Sequence, residues 1–151
     1  MGPVTAYLRR RLYPLVPADL DDLVEEVLVI AWRRLDDIPS DAQIPWLIGV
    51  ARNVLRNAVR KQRRQSILEA RLRPSQPDAP AEEYVIADES VRAALGAMSE
   101  DDRELLLLHF WDGRSARDLG TVMGLSTNAA AVRLSRAQDR FRQHFAVVSV
   151  E

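Results

Sequence analysis

The chain has 151 residues, enough for one ordinary domain or two small ones, and its composition, 47% hydrophobic and 28% charged, excludes disorder throughout. No run approaches the roughly 18 apolar residues of a membrane span, and the first residues lack a signal peptide's apolar core, so we expect a cytoplasmic protein without membrane insertion. The absence of cysteine excludes disulfides, thiolate chemistry and cysteine-bound zinc.

Two helices are predicted at the start of the chain. Residues 4–16 place leucines among arginines, which predicts a short basic helix that Pro14 and Pro17 end. Residues 19–35 open with acids, which complement the helix dipole. This second segment predicts a helix because its apolar residues recur at helical spacing, at Leu20, Leu23, Val24, Val27, Ile30, Ala31 and Leu35.

The polar side of the second helix gathers three acids into one patch, Asp22, Glu25 and Glu26. Paired carboxylates can serve acid–base chemistry or bind a metal, but no histidine or cysteine lies nearby to join them. We therefore interpret the patch as a solvated or partner-binding face, with no catalytic residue and no cofactor.

A basic helix is predicted next. Residues 36–45 contain two prolines and predict an ordered loop, and residues 46–64 predict a helix whose buried stripe is Leu47, Val50, Ala51, Val54, Leu55 and Ala58. Its other side carries Arg52, Asn53, Arg56, Asn57, Arg60 and Arg63. Asparagine among arginines offers hydrogen bonds to base edges together with phosphate neutralisation. Trp46 either stacks on a base or belongs to the core.

The formal net charge of −1 conceals two opposed blocks. Residues 46–73 hold eight basic residues against Glu69 alone, a net charge of +7. Residues 75–104 hold nine acids against two arginines, a net charge of −7. The sequence thus separates a basic surface suited to nucleic acid from the acidic stretch that follows it.

Residues 75–81 are rich in proline and poor in bulky apolar groups, which predicts a flexible linker. We place the domain boundaries there, with an N-terminal domain at 1–70, the linker at 71–83 and a C-terminal domain at 84–151. Residues 84–97 predict a helix, and Ser99 with Asp102 predicts a capping box that starts the next one. His109 and His144 stand alone and are assigned to packing or the surface.

Residues 115–137 predict a helix-turn-helix. Ser115 with Asp118 forms a second capping box, Gly124 supplies the turn, and Ser126 caps a second helix whose inner stripe is Ala130, Leu134, Ala137 and Phe141. The residues assigned to DNA are Thr127, Asn128, Ala131, Val132, Arg133 and Arg136. Short polar groups followed by arginines are typical of a recognition helix in the major groove. The alternative is an ordinary helical hairpin with a solvated arginine face.

The order of these parts resembles that of the extracytoplasmic-function sigma factors of bacterial RNA polymerase, over nearly the whole chain. Residues 22–32 (DLVEEVLVIAW) are similar to the family's D-L-v-Q-E-v-F-l-x-A-W, and residues 45–53 (PWLIGVARN) to W-L-y-x-I-A-r-N. Residues 98–103 (MSEDDR) are similar to L-P-e-x-x-R, and residues 126–137 (STNAAAVRLSRA) to S-x-N-A-V-K-V-R-L-x-R-A.

The resemblance implies an all-α protein of two small helical domains, the second a four-helix domain with a helix-turn-helix. The N-terminal domain would bind the polymerase clamp and open the minus-ten element, with Asp22, Glu25 and Glu26 on the largest subunit. The loop at 37–43, with Asn53, Arg56 and Asn57, would capture bases of the opened strand. The C-terminal domain would read the minus-thirty-five element as duplex.

Three features differ from the family pattern. Glu25 stands where the family usually has glutamine, Ala130 and Ala131 replace the usual valine and a basic residue, and the first helix is shorter. The alternative function is a stand-alone helix-turn-helix regulator, which would not need the two charged helices of the first half. An enzyme is not expected. The promoter sequence, the inducing signal and restraint by an anti-sigma protein stay open.

Overall fold

A computed structural model describes residues 1–11, 15, 18–72 and 88–150. Within these ranges every regular element is a helix. They are α1 (Gly2–Arg10), α2 (Asp19–Arg33), α3 (Gln43–Leu72), α4 (Glu89–Gly96), α5 (Glu100–Leu106), α6 (Ala116–Met123) and α7 (Thr127–Val150). A 3₁₀ turn spans Leu35–Asp37, and a π-helical turn at Leu107–Trp111 continues α5. The all-α prediction is confirmed.

The chain divides into two compact units, Met1–Val85 and Ile86–Glu151. Of the predicted linker at 71–83, residues 71 and 72 end α3, and residues 73–83 lie outside the described part of the chain.

In the first unit α1, α2 and α3 pack against one another. Each helix contributes one apolar side, and the core residues are Val4, Tyr7, Leu8, Leu23, Val27, Ala31, Ile48, Val50, Ala51, Val54 and Leu55. Arg11 follows α1 and is buried. Its guanidinium group donates to the Tyr7 carbonyl at 3.2 Å and lies 4.0 Å from the Tyr7 ring centroid, so the buried charge has polar and aromatic contacts. Most of the predicted core is therefore in place, and burial of Ile48 was missed.

Several predicted helix limits were wrong. The first helix ends at Arg10 rather than residue 16, and its predicted prolines lie outside the described residues. Leu35 is 59% exposed because α2 ends at Arg33. The helix predicted to begin at residue 46 begins at Gln43, so the last three residues of the predicted loop are helical. Pro45 lies in this first turn, where a proline loses no helical hydrogen bond. At its other end α3 runs eight residues beyond the predicted residue 64, to Leu72.

In the second unit α4, α5 and α6 all pack on α7. Three short helices begin at side-chain caps, since Asp88, Ser99 and Ser115 each accept backbone N–H groups of the helix that follows. Predicted helix 84–97 is seen from Glu89 to Gly96, because Asp88 caps it; residues 84–87 lie outside the described residues. The core here consists of Ala94, Leu95, Met98, Leu105, Leu106, Leu107, Leu108, Leu119, Val122, Ala130, Leu134 and Ala137.

The corner between α6 and α7 depends on close backbone approach at Gly120. A Cβ atom on this residue would lie 2.6 Å from the Leu125 carbonyl oxygen and 3.2 Å from that of Ser126. The Gly120 carbonyl also accepts from the Leu125 N–H at 2.7 Å. Because the neighbours are backbone atoms, they cannot move without opening the turn.

We predict that Gly120→Ala lowers the free energy of unfolding of the second unit by about 1–3 kcal/mol, the usual cost of forcing an extra methyl group into a packed site. The measurement is thermal unfolding, with hydrogen exchange in α6 and α7 to localise the loss. Gly96→Ala is the control, because nothing lies within 4 Å of its added Cβ. Equal stability of the two variants would contradict the tight approach at Gly120.

Candidate nucleic-acid interface

The helix-turn-helix is formed by α6, a turn and α7. Gly124 ends α6 with φ of 71°, a left-handed conformation that favours glycine. Ser126 then starts α7, since its hydroxyl oxygen accepts from the Ala129 N–H at 3.1 Å. The end of α6 and the start of α7 therefore lie where Gly124 and Ser126 predict them.

Burial of one side of α7 determines which residues reach solvent. Ala130 and Ala137 are fully buried and Leu134 is 8% exposed. The opposite side is exposed and carries five of the six residues predicted to contact DNA. These are Thr127, Asn128, Ala131, Val132 and Arg136, and Ser135 is exposed on the same side. This side offers hydroxyl, amide, methyl and guanidinium groups in a row, the side-chain types that bind base edges and phosphates.

Arg133 occupies a different position from the other five. It lies on the side of α7 that faces α5, half-buried, with its Nη2 atom 3.8 Å from the Asp101 carboxylate. Arg140, seven residues later on the same side, donates from Nη1 to the Asp102 carboxylate at 2.6 Å. Neither pair could be predicted from local sequence patterns, because both join residues that are more than thirty positions apart.

These contacts also correct the capping boxes. Ser99 accepts from the Asp102 N–H and Ser115 from the Asp118 N–H, each at 3.2 Å. The predicted return bonds are replaced, because the Asp102 carboxylate binds Arg140 and that of Asp118 lies 3.9 Å from Arg114. Only the serine half of each box caps its helix.

The basic side of α3 is accessible over most of its length. Asn53, Asn57, Arg60 and Arg63 are exposed, and Arg52 and Arg56 are half-buried. Val54 and Leu55 lie on the buried side. The arginines therefore line a helix whose orientation is set by its apolar side, and they give it the positive charge that attracts a phosphate backbone.

Trp46 lies in the first turn of α3 and is half-buried, with part of its ring on the core and part at the surface. The Arg34 guanidinium carbon lies 5.2 Å from the Trp46 ring centroid, within the range of a cation–π contact. Arg34 also pairs with Asp37 at 3.2 Å, which joins the loop after α2 to the start of α3. Arg34 thus contacts both Asp37 and the Trp46 ring.

The acidic patch lies on α2, where Asp22, Glu25 and Glu26 are all exposed. The same side continues into apolar groups, with Val29 42% and Trp32 77% exposed. The sequence contained a signal for this, since both residues fall outside the buried stripe of Leu23, Val27 and Ala31. Their exposure was nevertheless missed.

Among the described residues no group of three or more histidine, cysteine or acidic side chains is arranged to hold a metal ion. No helix in the same ranges is long and apolar enough to cross a membrane.

Comparison with known proteins identifies two family segments. Sigma-70 region 2 matches residues 2–65, which include α1, α2 and most of α3. Sigma-70, region 4 matches residues 88–139, which include the helix-turn-helix.

Two similar proteins are both named as RNA polymerase sigma factors. The ECF RNA polymerase sigma factor EcfG of Rhodopseudomonas palustris is 32% identical over 125 residues, covering 80% of this chain and 67% of the relative. The probable RNA polymerase sigma factor RfaY of Xanthomonas campestris is 33% identical over 132 residues. That match covers 81% of this chain, which spans only about a third (33%) of the length of RfaY.

A solved structure, that of CnrH in complex with the cytosolic domain of CnrY, matches with a TM-score of 0.61 at 25% identity. It covers 99% of this chain and 83% of CnrH. The chain belongs to the extracytoplasmic-function sigma factors of bacterial RNA polymerase, and the predicted resemblance is confirmed.

Proposed function

We propose that this protein binds core RNA polymerase and directs it to specific promoters, with residues 1–70 and 84–151 as its two working domains and the cytoplasm as its location. The observation that carries the proposal is the combination, in one three-helix unit, of an acidic face on α2 and a basic face on α3. A surface that repels phosphate beside one that attracts it requires two partners, a protein and a nucleic acid. A stand-alone helix-turn-helix regulator would not need the acidic face of α2.

The partner of α2 is a cationic protein surface with apolar groups. Asp22, Glu25 and Glu26 supply the negative charge, which speeds encounter and fixes the register of docking. Val29 and Trp32 add exposed apolar area next to these acids, and a tryptophan at the centre of an interface contributes strongly to affinity. Family membership supports the clamp of the polymerase largest subunit as this partner.

The basic face of α3 would hold the opened strand of the minus-ten element. Its arginines would follow the phosphates, while Asn53 and Asn57 would hydrogen-bond to exposed bases. Bases of an opened strand are already unpaired, so taking one out of the stack costs less there than in a duplex. Residues 37–42 precede this helix, and Gln43 and Trp46 lie in its first turn, so this end of α3 would meet such a base.

The exposed side of α7 would read the minus-thirty-five element in the major groove. Asn128 and Arg136 carry groups that bind base edges, and Ala131 presents only a methyl group where the family usually has a positive charge. CnrH was solved with the cytosolic domain of CnrY. We propose that a regulatory protein also binds this chain and covers these faces.

We predict that Asp22→Lys combined with Glu26→Lys abolishes co-purification with core polymerase, because like charges brought together at an interface cost several kcal/mol. The fold should be kept, since exposed helix positions change stability by about 0.5 kcal/mol or less. Circular dichroism and duplex-DNA binding by α7 are the readouts for an intact protein.

The matched control keeps both charges in the same two positions, as Asp22→Glu with Glu26→Asp. It should retain polymerase binding. A folded charge-reversed variant that still forms active holoenzyme would refute the assignment of this face.

We predict that Arg136→Ala weakens promoter binding by about 1–3 kcal/mol if the guanidinium makes a bidentate base contact, and lowers the salt dependence if it binds phosphate. Ala131→Arg should strengthen duplex binding by adding the missing positive group. Binding is measured by fluorescence anisotropy over a range of salt concentrations. Unchanged affinity in both variants would remove this side of α7 from the interface.

A further inference from the structure

Two ion pairs join the first turn of α5 to one side of α7, and they differ in geometry. The Asp102 side chain is 10% exposed and accepts from Arg140 at 2.6 Å. Asp101, the preceding residue, lies 3.8 Å from Arg133, and these two side chains are 47% and 41% exposed. The same side of α7 therefore carries one arginine that is held tightly and one that is held loosely.

The Asp101–Arg133 pair is easily exchanged. Its separation exceeds the 2.7–2.9 Å typical of a charge-assisted hydrogen bond, and water reaches both groups. Exposed pairs of this kind are weak, because solvent screens the charges and both side chains lose conformational freedom when they pair. Arg133 can leave Asp101 whenever a stronger anionic partner comes within reach.

Duplex DNA would bring such a partner. A recognition helix in the major groove has its exposed centre toward base edges, and the phosphate backbones run along its two sides. Arg133 lies on one of those sides, whereas Asn128, Ala131 and Arg136 lie on the exposed one. The planar fork of donors on a guanidinium group binds both carboxylate and phosphate oxygens bidentately, so the two anions compete for the same donors.

We propose that Asp101 is an intramolecular competitor of DNA phosphate for Arg133, and that it limits how tightly α7 binds duplex DNA of any sequence. The inference rests on the proposed role of α7 in duplex binding. Phosphate contacts carry no sequence information. By holding Arg133, Asp101 lowers this sequence-independent part of the affinity by the same factor on every duplex. Asp101 thus limits how tightly α7 holds duplex DNA without itself touching a base.

The experiment compares the full chain with its Asp101→Asn variant on a short duplex of random sequence, by fluorescence anisotropy over a range of salt concentrations. The variant should bind about two- to five-fold more tightly, the range expected on releasing an exposed ion pair. Its plot of log affinity against log salt should be steeper by about 0.9, the contribution of one added phosphate contact. Circular dichroism checks that the fold is unchanged.

Two controls separate competition from general repulsion. Glu100→Gln removes the same charge from the same turn of α5 and should leave the affinity within the error of the measurement. In an Arg133→Ala background, Asp101→Asn should give no gain at all. A gain that persists without Arg133 would show that Asp101 acts by long-range repulsion and would overturn the proposal.

Equal affinity and equal salt dependence of the wild-type chain and Asp101→Asn would also overturn it, while leaving the proposed function intact. Failure of the wild-type chain to bind any duplex would instead refute duplex binding by α7, and this inference with it. Polymerase binding by α2 would then still be decided by the charge-reversal experiment on Asp22 and Glu26, so the two failures are distinguishable.

Discussion

Burial of one side of α7 is the constraint on which the second unit depends. Ala130, Leu134 and Ala137 are buried on the inner side of α7, so this helix cannot rotate without exposing them and burying polar groups. Gly120 permits a close backbone approach at the corner with α6. The outward direction of Asn128 and Arg136 is thus a consequence of apolar burial on the inner side.

In the first unit, too, burial of the apolar sides of the helices determines which side chains reach solvent. Apolar residues of α1, α2 and α3 meet in one core, and burial there leaves acids on one helix and arginines on another. A net charge of −1 gives no hint of this separation. In the proposed function, this separation of charge lets one small unit bind a cationic protein surface and a phosphate backbone at different faces, since each face repels the other's partner.

Local signals in the sequence predicted local structure well. The caps at Ser99 and Ser115 and the turn at Gly124 depend on residues within one helical turn, and all three are present. Helix ends without a local stop signal were predicted less well, as in α3, which continues for eight exposed residues beyond the predicted limit. The exposure of most candidate site residues was predicted because periodicity shows which side of a helix is not buried. The Asp101–Arg133 pair and the approach at Gly120 were not, because both are set by the packing of separate elements.

The most direct test of the account is in vitro transcription by core RNA polymerase on fragments of genomic DNA, with and without this protein, with the 5′ ends of all transcripts mapped. The account predicts a small set of discrete new starts, each preceded at fixed distances by the same two sequence elements. No new starts, or new starts without shared upstream elements, would contradict it.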